Sequence, residues 1–142
     1  MEPAAAPAQV ETQAGPSAEP RAEEPAAERE EPYVAADRPL VVGQSAGGWA
    51  TVALSSRNPP GGPGMINFAG GRGGHQKLPG GGIGNCTPDA LVQAAARYGA
   101  TARVPLLWIY AENDSFFEPA LARRMAAAYD AAGGKATYRP VG

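Results

Sequence analysis

The strongest constraint on the fold is a run of seven hydrophobic residues at positions 104–110. It lacks the polar alternation of a strand that has one face in water. Such a run predicts a strand covered on both faces, the usual condition of strands in a parallel sheet. Because parallel strands need long crossover connections, helices are expected between the strands.

The segments around this run alternate between strand-like and helix-like patterns. Strands are predicted at residues 39–42, 65–69, 104–110 and 135–141, and helices at residues 46–57 and about 118–132. Thr87 predicts the N-cap of a further helix, with Pro88 in its first turn and Gly99 capping its end at about Tyr98. The glycine-rich residues 70–84 predict an irregular loop. The alternation predicts an α/β fold with four parallel strands and flanking helices.

The first 32 residues differ in composition from the rest. They contain 9 Ala, 8 Glu and 6 Pro and hardly any large apolar side chain. Such a segment cannot bury enough apolar surface to offset the entropy of ordering, so residues 1–32 are predicted to be a disordered tail. The globular domain is expected at residues 33–142.

The composition also argues against several classes of protein. No segment has the roughly 20 apolar residues of a membrane-spanning helix, and the N-terminus lacks the pattern of a signal peptide. A cytoplasmic location is therefore the default expectation, with no membrane partner. Cys86 and His75 are the single cysteine and the single histidine, too few for the usual zinc sites, so no metal or cofactor is expected. The net charge of −2 does not indicate a nucleic-acid partner.

The segment Gly43-Gln44-Ser45-Ala46-Gly47 fits the pattern Gly-x-Ser-x-Gly. It falls between a predicted strand and a predicted helix, which is the context of a nucleophile elbow. In such an elbow Ser45 adopts a strained backbone that exposes its hydroxyl, and glycine at positions 43 and 47 avoids collisions in the tight turn. The Ala46 N–H, at the helix N-terminus, is predicted to stabilise an oxyanion. The alternative is a chance match in a glycine-rich chain.

Asp114 is the candidate acid of the same site. It follows the most hydrophobic strand, where a carboxylate can orient an imidazole, and the order serine then aspartate is the one found in α/β-hydrolases. Glu112 is the rival acid, but Asp114 lies farther out on the loop. The non-catalytic alternative is a turn in which Asp114 caps the next helix.

Three motifs of the sequence form one pattern. They are Gly43-Gln44-Ser45-Ala46-Gly47-Gly48-Trp49, Ala69-Gly70-Gly71-Arg72-Gly73-Gly74 and Leu107-Trp108-Ile109-Tyr110-Ala111-Glu112-Asn113-Asp114. Together they resemble the dienelactone-hydrolase-related group of α/β-hydrolases over roughly residues 33–142. The resemblance implies an eight-stranded, mostly parallel sheet, of which this sequence would hold the last four strands. It also implies hydrolysis of a small-molecule carboxylic ester or lactone by a Ser, Asp, His triad.

The sequence departs from the family in its catalytic groups. The named dienelactone hydrolases use cysteine at the elbow, where this chain has Ser45. The family histidine follows the last strand, but no histidine follows Asp114 here, so the site is expected to be incomplete and truncated before its general base. His75 is a candidate surrogate base because its loop follows the strand next to the elbow, although a lone histidine among glycines is more often a solvated loop residue.

Two functions are therefore compared with the structure. The first is a serine hydrolase of the dienelactone-hydrolase type whose histidine lies outside this chain. The alternative is a noncatalytic truncated fragment or interaction module. In that case the edge at residues 40–42, left open where preceding strands are missing, is expected to allow self-association.

Overall fold

Nine elements follow one another in the part of the chain that the computed structural model describes, namely residue 35, residues 37–62 and residues 64–142. In chain order they are β1 (Leu40–Gln44), α1 (Ala46–Ser55), β2 (Gly64–Phe68), β3 (His75–Lys77), β4 (Ile83–Asn85), α2 (Pro88–Thr101), β5 (Pro105–Ala111), α3 (Pro119–Ala131) and β6 (Lys135–Val141). The predicted tail of residues 1–32 lies outside the described residues.

The main sheet has four strands in the order β1-β2-β5-β6, and every neighbouring pair is parallel. The predicted α/β fold class and the four predicted strands are confirmed. Each strand of this sheet lies beside the next one in the chain, so all of the carboxyl ends meet at one edge. This edge collects the loops that follow Gln44, Phe68 and Ala111.

The three helices cover one face of the sheet. The core combines residues of α1, α2 and α3 with the alternate strand residues Met65, Leu106, Trp108 and Tyr110. Trp108 is fully buried, and its ring lies 5.6 Å from that of Tyr129 on α3. The large aromatic side chains of β5 therefore anchor the helical layer.

The opposite face is not covered by the residues that the structure describes. Leu40 is 64% exposed, Val42 is 57% exposed and Phe68 is 40% exposed. The prediction that β5 is covered on both faces is wrong within this part of the chain, since Leu107 and Ile109 are only half-buried. Hydrophobic composition identified β5 as a strand, but it did not reveal that the described residues cover only one of its faces.

Helix α2 runs through Gly99 to Thr101, so the prediction that Gly99 caps the helix is wrong. A Cβ on Gly99 would contact the backbone carbonyl of Tyr129. Glycine is needed here because α2 and α3 approach backbone to backbone, not because the helix ends.

Part of the predicted irregular loop forms an antiparallel hairpin of β3 and β4. Its turn contains Gly80, Gly81 and Gly82, all with positive φ, a conformation that glycine adopts without strain. Sequence reasoning missed the hairpin because its strands are only three residues long and carry no alternating pattern.

No helix among the described residues is long and apolar enough to span a membrane.

Candidate functional site

Ser45 lies between the end of β1 and the start of α1. Its backbone angles are φ 53° and ψ −121°, a region that residues with a side chain rarely occupy. Holding a non-glycine residue in such a conformation costs about 1–3 kcal/mol. Ser45 is exposed, and its hydroxyl does not cap α1. The strained, exposed serine expected at a nucleophile elbow is therefore present at this junction.

The glycines around Ser45 have different roles. A Cβ on Gly43 would collide with the carbonyl oxygen of Gly47, so the steric requirement predicted at position 43 is confirmed. The collision predicted at Gly47 does not occur, because a Cβ built there has no described atom within 4 Å apart from its chain neighbours and the backbone of α1. Gly48 is a tighter position, where a Cβ would lie 2.6 Å from Asn67 Oδ1. The close approach of α1 to the sheet thus depends on Gly43 and Gly48.

The first turn of α1 leaves backbone donors without an intrahelical partner. The first helical bond runs from the Trp49 N–H to the Ser45 carbonyl oxygen at 3.0 Å. The N–H groups of Ala46, Gly47 and Gly48 precede it, as the first donors of any helix do. Ala46 is exposed and is the first residue of α1, directly after Ser45.

The turn that follows β2 is hydrogen-bonded to the backbone of Ser45. The Ser45 N–H donates to the Phe68 carbonyl oxygen at 3.0 Å, and the Gly71 N–H donates to the Ser45 carbonyl oxygen at 3.3 Å. Ala69 within this turn has φ 46°, a second strained residue close to Ser45. Sequence reasoning used this segment only as part of a resemblance, and missed its contacts because they depend on pairing between β1 and β2.

Asp114 lies in the loop after β5 and is half-buried. Its Oδ1 accepts hydrogen bonds from the N–H groups of Phe116 at 2.9 Å and Phe117 at 2.8 Å. The Phe117 ring packs against Gly71, whose N–H is hydrogen-bonded to the Ser45 carbonyl oxygen. One carboxylate oxygen therefore fixes the loop, while the loop itself packs against the elbow turn.

Glu112 and His75 occupy different places relative to Asp114. Glu112 is exposed, and its N–H donates to the Val141 carbonyl oxygen at 2.8 Å. The His75 ring packs on Phe116, with ring centroids 4.4 Å apart. Within the described residues no ion pair of 4.0 Å or less joins His75 to Asp114. The structure thus brings His75 to the Asp114 loop without pairing the two side chains.

Comparison with solved structures identifies the architecture. The chain superposes with a TM-score of 0.52 on a protein of Klebsiella pneumoniae subsp. pneumoniae that is provisionally described as a dienelactone hydrolase. The two sequences are 18% identical, and the match covers 75% of this chain. The chain has part of an α/β-hydrolase fold. It spans about 40% of the length of the α/β-hydrolase that it matches. No family model matches the chain, and no curated protein does.

Two polar side chains lie beneath the elbow of this α/β-hydrolase fold. Asn67 and Tyr110 are both fully buried. Asn67 Nδ2 donates to Tyr110 Oη at 3.1 Å, and Tyr110 Oη donates to the Gly70 carbonyl oxygen at 2.6 Å. Sequence reasoning assigned no role to either residue. A polar asparagine within the hydrophobic segment at residues 65–69 is the signal that could have directed attention to this layer.

Among the described residues a cleft lies near Ser45, but no metal site is present. Within the described ranges no group of three His, Cys, Asp or Glu residues is arranged to bind a metal ion. A cleft of about 320 Å³ lies beside α1, with Ala46, Trp49, Arg72 and Tyr98 in its lining. The candidate site is therefore the carboxyl edge of the sheet, with Ser45, the Ala46 N–H and Asp114 as its reactive groups.

Proposed function

We propose that this chain contributes the nucleophile and the acid of a serine hydrolase that acts on carboxylic esters or lactones. The observation that carries this proposal is the strained and exposed backbone of Ser45 at a strand-to-helix junction. The partial α/β-hydrolase fold supports it, because this fold presents its nucleophile at that junction. In this proposal the general base that accepts the Ser45 proton is a histidine outside the printed sequence. Asp114 orients that histidine.

In this mechanism Ser45 Oγ attacks the carbonyl carbon of the ester, and the histidine accepts the hydroxyl proton. The carbonyl π electrons move to oxygen, and the Ala46 N–H stabilises the oxyanion. When the intermediate collapses, the alkoxide leaves with the proton from the histidine and an acyl-serine remains. Water, deprotonated by the same histidine, releases the carboxylic acid and restores Ser45.

The proposal predicts that an added base will activate Ser45. We expect 50 mM imidazole to increase labelling of the purified chain by a fluorophosphonate probe about tenfold or more, because general base catalysis contributes about 10²–10⁴-fold when the base is fully positioned. Mass spectrometry of the labelled peptide should place the adduct on Ser45. Labelling that stays at background with imidazole, or that modifies other serines equally, would contradict the proposal.

Three variants make this measurement specific. Ser45→Ala should abolish the imidazole-dependent labelling, whereas Ser115→Ala, which removes an exposed serine from the Asp114 loop, should keep it. His75→Ala should also keep it. If His75→Ala removes labelling of the parent in the absence of imidazole, His75 replaces the external histidine as the base of the proposed mechanism.

A second candidate function is self-association through β1. Among the residues that the structure describes, β1 and β6 are the two edge strands of the main sheet, and they differ in side chains. β6 carries Lys135, Arg139 and Pro140, which discourage pairing with another strand, whereas β1 exposes Leu40 and Val42. The unprotected edge at β1 favours pairing with a second copy of this chain.

This candidate predicts a concentration-dependent dimer. Sedimentation velocity at about 5–200 µM should show an increase in mass for the parent, since edge pairs of modest area associate weakly. Val42→Lys should raise the dissociation constant about tenfold or more, because a lysine on an edge strand discourages pairing. Thr137→Lys adds the same charge to β6 and should change nothing. A parent that remains monomeric throughout would contradict this candidate.

A further inference from the structure

We infer that Tyr110, held by Asn67, is a positioning residue that fixes Ser45 through the turn after β2. The inference rests on the proposed role of Ser45 as nucleophile. Neither residue touches a reacting group in the acyl-transfer steps described above. Their buried hydrogen bonds nevertheless end at the Gly70 carbonyl, which belongs to the same peptide group as the Gly71 N–H that binds Ser45.

The turn at residues 68–71 touches the elbow in three ways. The Phe68 carbonyl accepts from the Ser45 N–H, and the Gly71 N–H donates to the Ser45 carbonyl. Between them, Gly70 lies directly on the first turn of α1, since a Cβ on Gly70 would be 2.6 Å from the Gly48 carbonyl carbon. The position of Gly70 therefore determines the two backbone hydrogen bonds between this turn and Ser45. It also determines how far the N–H groups in the first turn of α1 lie from the sheet.

Among the described residues, Tyr110 is the only one whose side chain forms a hydrogen bond to this turn. Burial raises the pKa of its phenol well above the usual value, and this effect exceeds the lowering caused by the hydrogen bond from Asn67. The hydroxyl is therefore protonated at neutral pH and can donate to the Gly70 carbonyl. Asn67 Nδ2 supplies a donor to the same hydroxyl oxygen, which leaves the hydroxyl proton directed at Gly70.

The side chain of Asn67 lies between Gly70 and the first turn of α1. Asn67 Oδ1 is buried against the Cα positions of Gly48 and Gly70 and accepts no hydrogen bond from the described residues. The Nδ2 end of the same amide does have a partner, the Tyr110 hydroxyl, at 3.1 Å. The bond to Tyr110 is thus the contact that fixes Asn67 beneath the elbow.

The test uses a thiol at the elbow, so it needs neither a substrate nor a general base. In a Cys86→Ser background, Ser45→Cys places the only thiol of the chain at residue 45. A thiol close to helix N-terminal donors has its pKa lowered from about 8.5, and we expect a decrease of about one unit or more. The rate of alkylation by iodoacetamide as a function of pH measures this pKa.

Tyr110→Phe and Tyr129→Phe are then compared in this background. Tyr129 is also fully buried, and its hydroxyl bonds to Ser55 Oγ at 2.8 Å in a different part of the core. Both variants lose one buried hydroxyl, so both should lose stability. Only Tyr110→Phe should raise the thiol pKa, by about 0.5 unit or more, which slows alkylation at pH 7 about threefold. Asn67→Ala should act in the same direction and provides a second variant if Tyr110→Phe does not fold.

The outcomes separate this inference from the proposed function. A lowered thiol pKa that rises with Tyr110→Phe and not with Tyr129→Phe supports the positioning role. A lowered pKa that neither Tyr110→Phe nor Asn67→Ala changes overturns it while leaving the elbow intact. A thiol pKa of about 8.5 in the starting variant overturns the proposed function of Ser45, and the positioning role with it.

Discussion

Replacing Gly43 by valine is expected to lower the free energy of unfolding by about 3 kcal/mol or more, the upper part of the range for overpacking. Even the first added carbon would overlap the Gly47 carbonyl oxygen and the Thr51 hydroxyl oxygen. A backbone carbonyl cannot rotate away as a flexible side chain can, so α1 must move off the sheet. Urea unfolding followed by the fluorescence of Trp49, which packs on the inner side of α1, measures the change.

Gly47→Ala is the matched control for this prediction. A Cβ at Gly47 meets no described atom, and the residue lies in the first turn of α1. Alanine in a helix is favoured over glycine by about 0.5–1 kcal/mol, so this variant should be as stable as the parent or slightly more stable. Equal effects of Gly43→Val and Gly47→Ala would show that the close contact between β1 and α1 does not exist.

Replacing Trp108 by alanine is expected to cost about 3–5 kcal/mol of stability. The side chain is fully buried, and it contacts the rings of Tyr110 and Tyr129. Small domains are stable by about 5–15 kcal/mol in total, so this loss removes a large part of the margin. Urea unfolding followed by far-ultraviolet circular dichroism is the measurement, because it does not depend on the tryptophan that is removed.

Ile109→Ala tests the same strand on its other face. Ile109 is half-buried and points away from the helices, so little packing is lost and the expected cost is about 1 kcal/mol or less. The ratio between the two costs measures how one-sided the packing of β5 is. A cost at Ile109 that approaches the cost at Trp108 would contradict the uncovered face.

The order of strands and helices could be predicted because each element carries its own local pattern. β5 is continuously hydrophobic, Pro88 marks the start of α2, and the spacing of Leu121, Met125 and Tyr129 places one side of α3 in the core. The parallel sheet then follows from the alternation of strands and crossover helices. Local signals therefore sufficed for the fold class.

Features that depend on contacts between distant segments could not be predicted. Gly99 is a typical helix-ending residue, yet its function is to admit the Tyr129 backbone, which lies 30 positions later in the chain. The uncovered face could not be predicted either, because the continuous hydrophobic run of β5 is typical of a strand covered on both faces. Local sequence patterns indicate the secondary structure of a segment, but they do not indicate which distant segment packs against it.

The candidate site shows the same division. Ser45 and Asp114 could be proposed because they occupy loops after strands, and the strain at Ser45 agrees with the pattern Gly-x-Ser-x-Gly. The hydrogen-bonded pair of Asn67 and Tyr110 could not, because it joins β2 to β5, which are far apart in the sequence, and ends at Gly70. The roles of Ser45, Ala46 and Asp114 stay predictions until the labelling experiments are done.

The pairing of each sheet strand with the next one in sequence has a consequence for how the chain acquires its structure during synthesis. The sheet can grow by one strand at a time as the polypeptide leaves the ribosome, because no strand has to wait for a partner from the far end. Ser45 precedes its backbone partners Phe68 and Gly71 by more than 20 residues in the chain. The elbow therefore acquires its geometry only after β2 has been synthesised and has docked.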